Sequence, residues 1–251
     1  MEHDFLDRYS GRDSFVHRLD ARAKSLAAVF YVLTVVSTPP QHLLAFVMYA
    51  GLLLWVAALG RIPIGFIALR AALVLPFSAL VAAGLPFMGG DKSVVLLGMD
   101  LSERGLWLLA GAAMKSALGV SALVLLVSST PVSALLAGAR RLGCPALFVD
   151  LLALTYRYLF VLVEEGMRLR RAAAARGYRP RWLPQAAIVG RLAGNLFVRS
   201  YERAERVYGA IRLRGGNSRM PAAPPARCSL RDGVALAAAV LVLSLVRIFA
   251  R

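Results

Sequence analysis

Long apolar runs dominate the chain and are separated by short polar connections. A helix that crosses a membrane needs about 20 mostly apolar residues, or about 17 at the short end. One predicted helix begins near Ala21 and ends before Pro39-Pro40, and four more cover residues 41–60, 65–88, 105–129 and 234–249. The pattern therefore predicts an all-α polytopic membrane protein with about five transmembrane helices.

The region 131–232 departs from this pattern. Its stretch 145–163 is apolar enough for a sixth span, yet Asp150, Arg157 and Glu164 recur every seven residues and so lie along one helical face. A charged side chain that faces lipid is costly, so this face is expected to contact protein or the cytoplasmic interface. The interpretation is a long amphipathic helix, with a sixth span as the alternative.

Signals for helix starts and ends divide this region into two long helices, over about 145–176 and 184–214. Proline at 145 and 184 suits a first helical turn, and glycine at 177 and 215 suits the position just past a helix end. The predicted organisation is an N-terminal segment with four transmembrane helices over 1–130, the two long helices within 131–215, a linker over 216–232 and a last transmembrane helix over 233–251.

The two long helices share a pattern. Superposing Gly177 on Gly215 also aligns Glu164 with Glu202, Arg168 with Arg206, and Arg176 with Arg214. Glu and Arg at i, i+4 stabilise an exposed helix by a few tenths of a kcal/mol. The ordinary interpretation of each Arg-Gly end is a helix cap. The alternative is a guanidinium that offers five donors to a groove on another protein, and two similar tips indicate two similar receptors, as in a dimer of homologous subunits.

The composition agrees with a membrane protein. Of the 251 residues, 59% are hydrophobic and 18% are charged, and the mean hydropathy is +0.64. Average soluble proteins are roughly 45–50% apolar and about 25% charged, so disorder is excluded and an ordinary soluble domain is disfavoured. Of the 30 Lys and Arg residues, five lie in residues 1–24 and 18 lie in residues 131–232, and the net charge is +16. Positive charge marks the cytoplasmic side, which predicts a cytoplasmic N-terminus and, with five spans, an external C-terminus.

Candidate chemistry within the chain is sparse. Cys144 and Cys228 cannot form a four-cysteine zinc site, and His3, His17 and His42 are too far apart for helical metal ligation. The chain also has no GxxxxGK[ST] loop, so it is not expected to hydrolyse ATP by that mechanism. No metal site and no cofactor are predicted in this chain.

Two groups of polar residues lie at or within predicted spans. Asp20 is placed to cap the first span, with Arg22 and Lys24 at the cytoplasmic head groups. Lys115 lies inside the fourth span. A substrate-path role, a buried ion pair or carbonyl contact, and a side chain that extends to the membrane surface all remain open for this lysine.

Three motifs together resemble a known family. They are Asp7-Arg8-Tyr9-Ser10 with His17-Arg18-Leu19-Asp20-Ala21-Arg22-Ala23-Lys24, then Leu154-Thr155-Tyr156-Arg157-Tyr158 with Ala175-Arg176-Gly177, and finally Ser200-Tyr201-Glu202-Arg203-Ala204-Glu205-Arg206 with Leu213-Arg214-Gly215. In this order they resemble the transmembrane (T) component of energy-coupling factor (ECF) transporters, most closely the cobalt-transport permease subfamily CbiQ. Ala21, where many relatives carry Pro, and Leu213, where the usual triplet carries Ala, are departures.

The resemblance implies a non-catalytic scaffold of an importer in the cell (inner) membrane. It would join two ABC-type ATPase subunits, which hold ATP and Mg, to a substrate-binding integral membrane subunit for uptake of a transition-metal ion, with cobalt as the expected cargo. The implied ATPase-coupling residues are Ala175, Arg176, Gly177, Leu213, Arg214 and Gly215. Arg157, Glu164, Arg168, Glu202 and Arg206 would support the coupling helices, and His17, Arg18, Asp20, Arg22 and Lys24 form the N-terminal motif.

Other functions remain as alternatives. Within the same family the cargo could be nickel or a vitamin. An integral-membrane enzyme that acts on lipid head groups would need clustered carboxylates, whereas the cytoplasmic acids here are scattered or paired with arginine. A membrane-anchored nucleic-acid binder would need aromatic residues interleaved with the basic ones. The expected partners are therefore protein subunits and the lipid bilayer, without nucleic acid.

Overall fold

The computed structural model describes residues 19–82, 84, 93–96, 99–178, 186–215 and 230–249. Within these residues the chain forms eight α-helices and one two-stranded hairpin. They are α1 Ala21–Ser37, α2 Leu43–Leu59, α3 Ile64–Ala82, β1 Ser93–Leu96, β2 Met99–Ser102, α4 Glu103–Ser129, α5 Val132–Arg141, α6 Ala146–Ala175, α7 Ala186–Leu213 and α8 Leu230–Phe249.

The chain divides into two compact units. One runs from Gly143 to Pro225 and contains α6 and α7, which we call the helix pair. The other combines Glu2–Leu142 with Ala226–Arg251, and its helices α1–α5 and α8 form what we call the membrane bundle. The sequence-based division grouped α5 with the long helices. In the structure α5 packs on α1, since a Cβ atom at Gly138 would lie 3.6 Å from the Cβ atom of Ala21.

The membrane bundle has two buried apolar clusters, both of which involve α2 and the 27-residue helix α4. The first cluster combines residues of α1, α2, α4 and α8, namely Tyr31, Val35, Ala45, Phe46, Tyr49, Ala122, Leu243 and Val246. The second combines the end of α2 and its following turn with α3 and α4, namely Ala57, Ile62, Ile67, Val124 and Leu125. Ala122 of the first cluster and Val124 of the second are two residues apart in α4, so this helix links the two clusters.

Apolar helices with exposed outer faces confirm the predicted class, a polytopic all-α membrane protein. Three helices of the described part are long and apolar enough to cross a membrane, over Ile64–Val81, Arg104–Ser129 and Ala146–Ala175, and α2 is a shorter apolar helix. Large side chains such as Trp55 and Phe77 are exposed on these helices, as expected for lipid contact. The third helix is α6, so by length and composition the alternative of a sixth span stays open.

Two connections between the helices make contacts that the apolar pattern did not predict. The hairpin before α4 pairs Ser93 with Ser102 and Leu96 with Met99. The Pro39-Pro40 turn packs against α4 so closely that a Cβ atom at Gly111 would lie 2.5 Å from the Cβ atom of Pro40. One helical turn further along α4, Lys115 donates a hydrogen bond from Nζ to the carbonyl oxygen of Val36, over 2.8 Å. The carbonyl contact, one of the interpretations of Lys115, is thus present, and a substrate-path role stays a prediction.

Candidate coupling sites

The end of α6 is a complete left-handed cap. The helix ends at Ala175, Arg176 is the C-cap, and Gly177 has a φ of +85°. The Gly177 amide donates to the carbonyl oxygen of Ala174 over 3.0 Å, and the Tyr178 amide donates to that of Ala173 over 3.1 Å. This is the Schellman arrangement, which needs a residue that tolerates positive φ. Both Ala175 and Arg176 are exposed at this tip.

The end of α7 repeats this geometry. The helix ends at Leu213, Arg214 follows it, and Gly215 has a φ of +98°. The Gly215 amide donates to the carbonyl oxygen of Arg212 over 3.1 Å, the equivalent of the contact at the end of α6. The Leu213 side chain is 91% exposed, and Arg214 is exposed as well. Arg176 and Arg214 therefore occupy the same position at two similar helix ends.

Acidic and basic side chains join the two helices of the pair. Glu165 of α6 forms an ion pair with Arg199 of α7, and its side chain is only 15% exposed. Arg168 lies 3.4 Å from the carboxylate of Glu164 and 3.7 Å from that of Glu165. The predicted Glu164–Arg168 pair is thus present, and it belongs to a network that reaches the neighbouring helix. Close approach at Gly166, whose missing Cβ would lie 3.8 Å from a methyl group of Leu196, brings the helices together.

Of the remaining predicted support residues, two line a cleft and one is exposed. Glu202 and Arg206 line a cleft of about 260 Å³ between α6 and α7, together with Arg203. In the part of the chain that the structure describes, no ion pair joins Glu202 to Arg206, unlike Glu164 and Arg168. Arg157 is exposed on α6, so its shielding by another protein stays a prediction.

The start of α1 holds the described part of the N-terminal motif. Asp20 caps α1 as predicted, since its carboxylate accepts a hydrogen bond from the Arg22 amide over 3.1 Å. Lys24 donates from Nζ to the carbonyl oxygen of Ser129 over 3.0 Å and to Oγ1 of Thr130 over 3.1 Å. Two further residues of the motif, His17 and Arg18, lie outside the described residues.

A residue of the last helix completes this group. The Asp20 amide donates a hydrogen bond to Oδ1 of Asp232 over 3.1 Å, and Asp232 lies in the first turn of α8. Both aspartates are buried, with 7% and 5% of their surface exposed. Among the described residues, no group of three His, Cys, Asp or Glu side chains is arranged to hold a metal ion.

The chain is similar to known proteins over most of its length. The family model for CbiQ, described as cobalt transport protein, matches residues 12–223. The chain belongs to this family. It is therefore a membrane permease of the cobalt-transport class, and the match covers the helix pair as well as α1–α5.

Individual relatives of the chain are cobalt or nickel transport proteins. The cobalt transport protein CbiQ of Rhodobacter capsulatus is 29% identical over 244 residues, which cover 95% of this chain and 96% of that protein. The nickel permease LarQ of Lactiplantibacillus plantarum is 34% identical over 114 residues, 45% of this chain and 41% of LarQ. A putative fused cobalt transport protein CbiMQ of Methanocorpusculum labreanum is 27% identical over 162 residues, which cover 57% of this chain and 27% of the fused protein.

Sequence reasoning missed the contacts of four residues in these sites. Glu165 and Arg199 were assigned no role, although a second acid beside Glu164 was a signal for a contact beyond the i, i+4 pair. Thr130 and Asp232 were overlooked for another reason, because they contact the N-terminal motif from distant parts of the chain. An acidic residue in the first turn of a helix has an ordinary explanation in the helix dipole, which gives no hint of a partner.

Proposed function

We propose that this chain is the membrane scaffold, or T subunit, of an ECF-type ABC importer for a transition-metal ion, with cobalt as the cargo. In this role it couples two cytoplasmic ATPase subunits to a substrate-binding membrane subunit. ATP and Mg²⁺ are held by the ATPases, and this chain itself needs no cofactor. The observation that carries the proposal is the repeated, exposed Arg-Gly end of two long helices, at Arg176-Gly177 and Arg214-Gly215.

The shape of each helix end suits insertion into a groove. Ala172–Ala175 precede Arg176, so the last turn of α6 is slim and its backbone can approach another protein closely. A guanidinium at the tip presents five donors in a planar fork, which matches carboxylates or clustered carbonyl groups. Two such ends on one chain match the two similar subunits of an ATPase dimer.

The length of the helices suits the transmission of movement. With 30 and 28 residues, α6 and α7 are about 45 and 42 Å long at a rise of about 1.5 Å per residue. When ATP binding closes the ATPase dimer, the two grooves move and carry the helix tips with them. The helices then act as rigid levers that tilt the substrate-binding subunit. In this mechanism Arg176 and Arg214 hold the levers in place and take no part in chemistry.

Names of relatives support the cargo and the membrane partner. The family description and the Rhodobacter capsulatus relative indicate cobalt, whereas LarQ keeps nickel as the alternative and a vitamin is the third candidate. In the fused CbiMQ protein the region similar to this chain covers 27% of the length, which leaves room for a second membrane component. We place the chain in the cell (inner) membrane with a cytoplasmic N-terminus, because positive charge concentrates in the segments assigned to that side.

Charge reversal at the two tips tests the proposal. The double variant Arg176→Glu, Arg214→Glu replaces both donor forks by carboxylates and leaves acceptors in the grooves unpaired. We expect the ATPases to be lost from the purified complex, with each single change giving partial loss. Arg→Lys at the same positions should be intermediate, because the charge remains and the planar fork does not. The measurements are recovery of the ATPases with the tagged chain and uptake of Co²⁺ and Ni²⁺ by cells.

A matched control separates the tips from basic charge in general. Arg191 is exposed near the start of α7, more than 20 positions from Arg214, and Arg191→Glu makes the same change of charge on the same helix. It should leave ATPase recovery and uptake unchanged. Normal recovery and uptake with the double variant would reject the coupling role and return both Arg-Gly ends to ordinary helix caps. Loss with Arg191→Glu as well would show that overall charge, not tip geometry, holds the ATPases.

A further inference from the structure

The start of α1 contacts the chain on both sides of the helix pair. The chain leaves the membrane bundle after α4 and α5, forms α6 and α7, and returns through α8. Residues at the end of α4 and at the beginning of α8 both bind the short segment from Asp20 to Lys24. Two places far apart in sequence are thereby fixed to one point of the bundle.

On the outgoing side the contacts are made by a lysine. Nζ of Lys24 donates to the Ser129 carbonyl and to the Thr130 hydroxyl, and Thr130 is only 2% exposed. Immediately afterwards α5 packs on the same segment, where a Cβ atom at Gly138 would lie 3.5 Å from the Arg22 amide nitrogen. A charged donor with two buried acceptors resists displacement, because moving it away would leave polar groups unpaired.

On the returning side the contact is made by two aspartates. The Asp20 amide, at the cap of α1, donates to the Asp232 carboxylate in the first turn of α8. Asp232 thus accepts one of the backbone donors beside the start of α1 while it also lies at the positive end of its own helix. The charge of Asp20 is balanced in part by Arg22, whose Nε lies 3.9 Å from Oδ2 of Asp20.

We propose that Lys24, Asp20, Thr130 and Asp232 form a rigid joint within the membrane bundle, which fixes to α1 the two places where the chain leaves the bundle and returns to it, so that movement of the intervening segment is passed to α1. These are positioning residues, and they contact neither ATP nor the cargo. The proposal rests on the coupling role proposed above. It adds the position in this chain at which movement of the helix pair would reach the membrane bundle.

Lys24→Met tests the joint, and Lys115→Met is its control. Both lysines donate from Nζ to a backbone carbonyl between α1 and α4, but Lys115 acts at the far end of α1, on the Val36 carbonyl, away from the helix-pair segment. Both changes remove one charge and a hydrogen bond to a backbone carbonyl, and Lys24→Met also removes the bond to the Thr130 hydroxyl. The experiment uses the complete transporter in proteoliposomes and measures metal uptake per ATP hydrolysed, together with thermal stability.

The expected result is a difference in coupling at similar stability. Lys24→Met should lower uptake per ATP about tenfold, because it removes both hydrogen bonds that hold Ser129 and Thr130 to α1. ATPase recovery should remain normal, because the tips are unchanged. Lys115→Met should preserve the ratio, even where it lowers the melting temperature as much. An equal ratio in the two variants would overturn the joint.

Milder variants keep the test decisive if Lys24→Met fails to assemble. Thr130→Val removes one acceptor and preserves the side-chain shape, and Asp232→Asn keeps an acceptor for the Asp20 amide while Asp232→Leu removes it. Uptake per ATP should fall with Thr130→Val and Asp232→Leu and should largely survive Asp232→Asn. Unchanged ratios in all three would reject the joint. Absence of ATPases from the wild-type complex would instead reject the proposed function itself.

Discussion

The membrane bundle and the helix pair are built in opposite ways. The bundle buries two apolar clusters that combine residues of α1, α2, α3, α4 and α8. In the helix pair, Val149 is the buried apolar residue, and large side chains such as Leu147, Phe148 and Phe197 are exposed. A bundle with its own core can hold its shape, whereas the pair depends on lipid or partner subunits to cover its apolar surface.

Their polar residues differ in the same way. In the bundle, Lys24, Lys115 and Asp232 make hydrogen bonds between helices that are distant in sequence. In the pair, Arg176 and Arg214 extend from helix ends into the surroundings. Polar groups inside the bundle therefore fix its geometry, while the two arginines at the helix ends of the pair are exposed to other molecules. The difference supports the proposal that one region is rigid and the other docks onto partner subunits.

The side of the membrane on which α6 ends is the feature that would change this comparison most. With five spans, Cys144 before α6 and Cys228 before α8 both face the cytoplasm. With α6 as a sixth span, Cys228 and both Arg-Gly tips move to the outside, where no ATPase could reach them. Cys144 is free and exposed, and serves as the cytoplasmic reference.

Labelling of single-cysteine variants decides between the two topologies. Cys144→Ser and Cys228→Ser each leave one thiol for a maleimide that cannot cross the membrane. Because the expected topology has five spans, both thiols should react in inverted vesicles and neither in intact cells. Tags at residues 1 and 251 should in turn be found on opposite sides. Reaction of the Cys228 thiol in intact cells would move α6 from the helix pair to the membrane-spanning set.

Gly111→Ala is the next largest expected effect and concerns the bundle alone. The added methyl group would meet Pro40 at 2.5 Å, and a proline ring cannot turn aside, so the Pro39-Pro40 turn must shift. Overpacking of this kind costs about 1–3 kcal/mol. Gly119→Ala, in the same helix with open space around it, should instead be neutral or slightly stabilising. Thermal unfolding of the detergent-solubilised protein measures both, and equal melting temperatures would contradict the close packing.

Local signals explain how much of this architecture could be predicted from sequence. Apolar runs bounded by Pro and Gly predicted the helices, and the predicted 145–176 and 184–214 are observed as Ala146–Ala175 and Ala186–Leu213. The Arg-Gly caps were predictable because a left-handed cap depends on a glycine beside the helix end. Asp20 was predictable as a cap for the same reason, since its partner Arg22 is two residues away.

Contacts between distant residues account for what could not be predicted. Asp20 and Asp232 are 212 positions apart, and Lys24 and Thr130 are 106 apart, so the sequence pattern around each residue does not indicate its partner. The position of α5 has the same explanation, because Gly138 meets Ala21 and Arg22, which lie more than 100 positions earlier in the chain. These contacts depend on the tertiary structure, and hydrophobic periodicity gives no information about them.

Gly177→Ala and Gly215→Ala test whether the geometry of the two helix ends matters for docking. Both glycines have positive φ, where an alanine is strained by about 1 kcal/mol, so the last turn should fray and the tip should lose its fixed direction. ATPase recovery should fall several-fold, while the melting temperature of the membrane bundle stays unchanged. Gly209→Ala lies inside α7 with open space around it and should be neutral. Equal recovery in all three variants would show that cap geometry is unimportant for docking.

The smallest expected effect lies between α6 and α7. Glu165→Gln keeps the shape of the side chain but removes the charge that pairs with Arg199 and Arg168. Both arginines are largely exposed, so solvent weakens the pairing, and the loss should be about 0.5 kcal/mol. That change is too small to separate the helices, yet it should make the angle between them more variable.

Glu205→Gln, at an exposed position of α7, is the matched control. A spectroscopic distance between labels near the two tips should broaden for Glu165→Gln and remain sharp for Glu205→Gln. The same broadening in both variants would assign the angle of the pair to apolar packing around Gly166 and Leu196 instead of to charge.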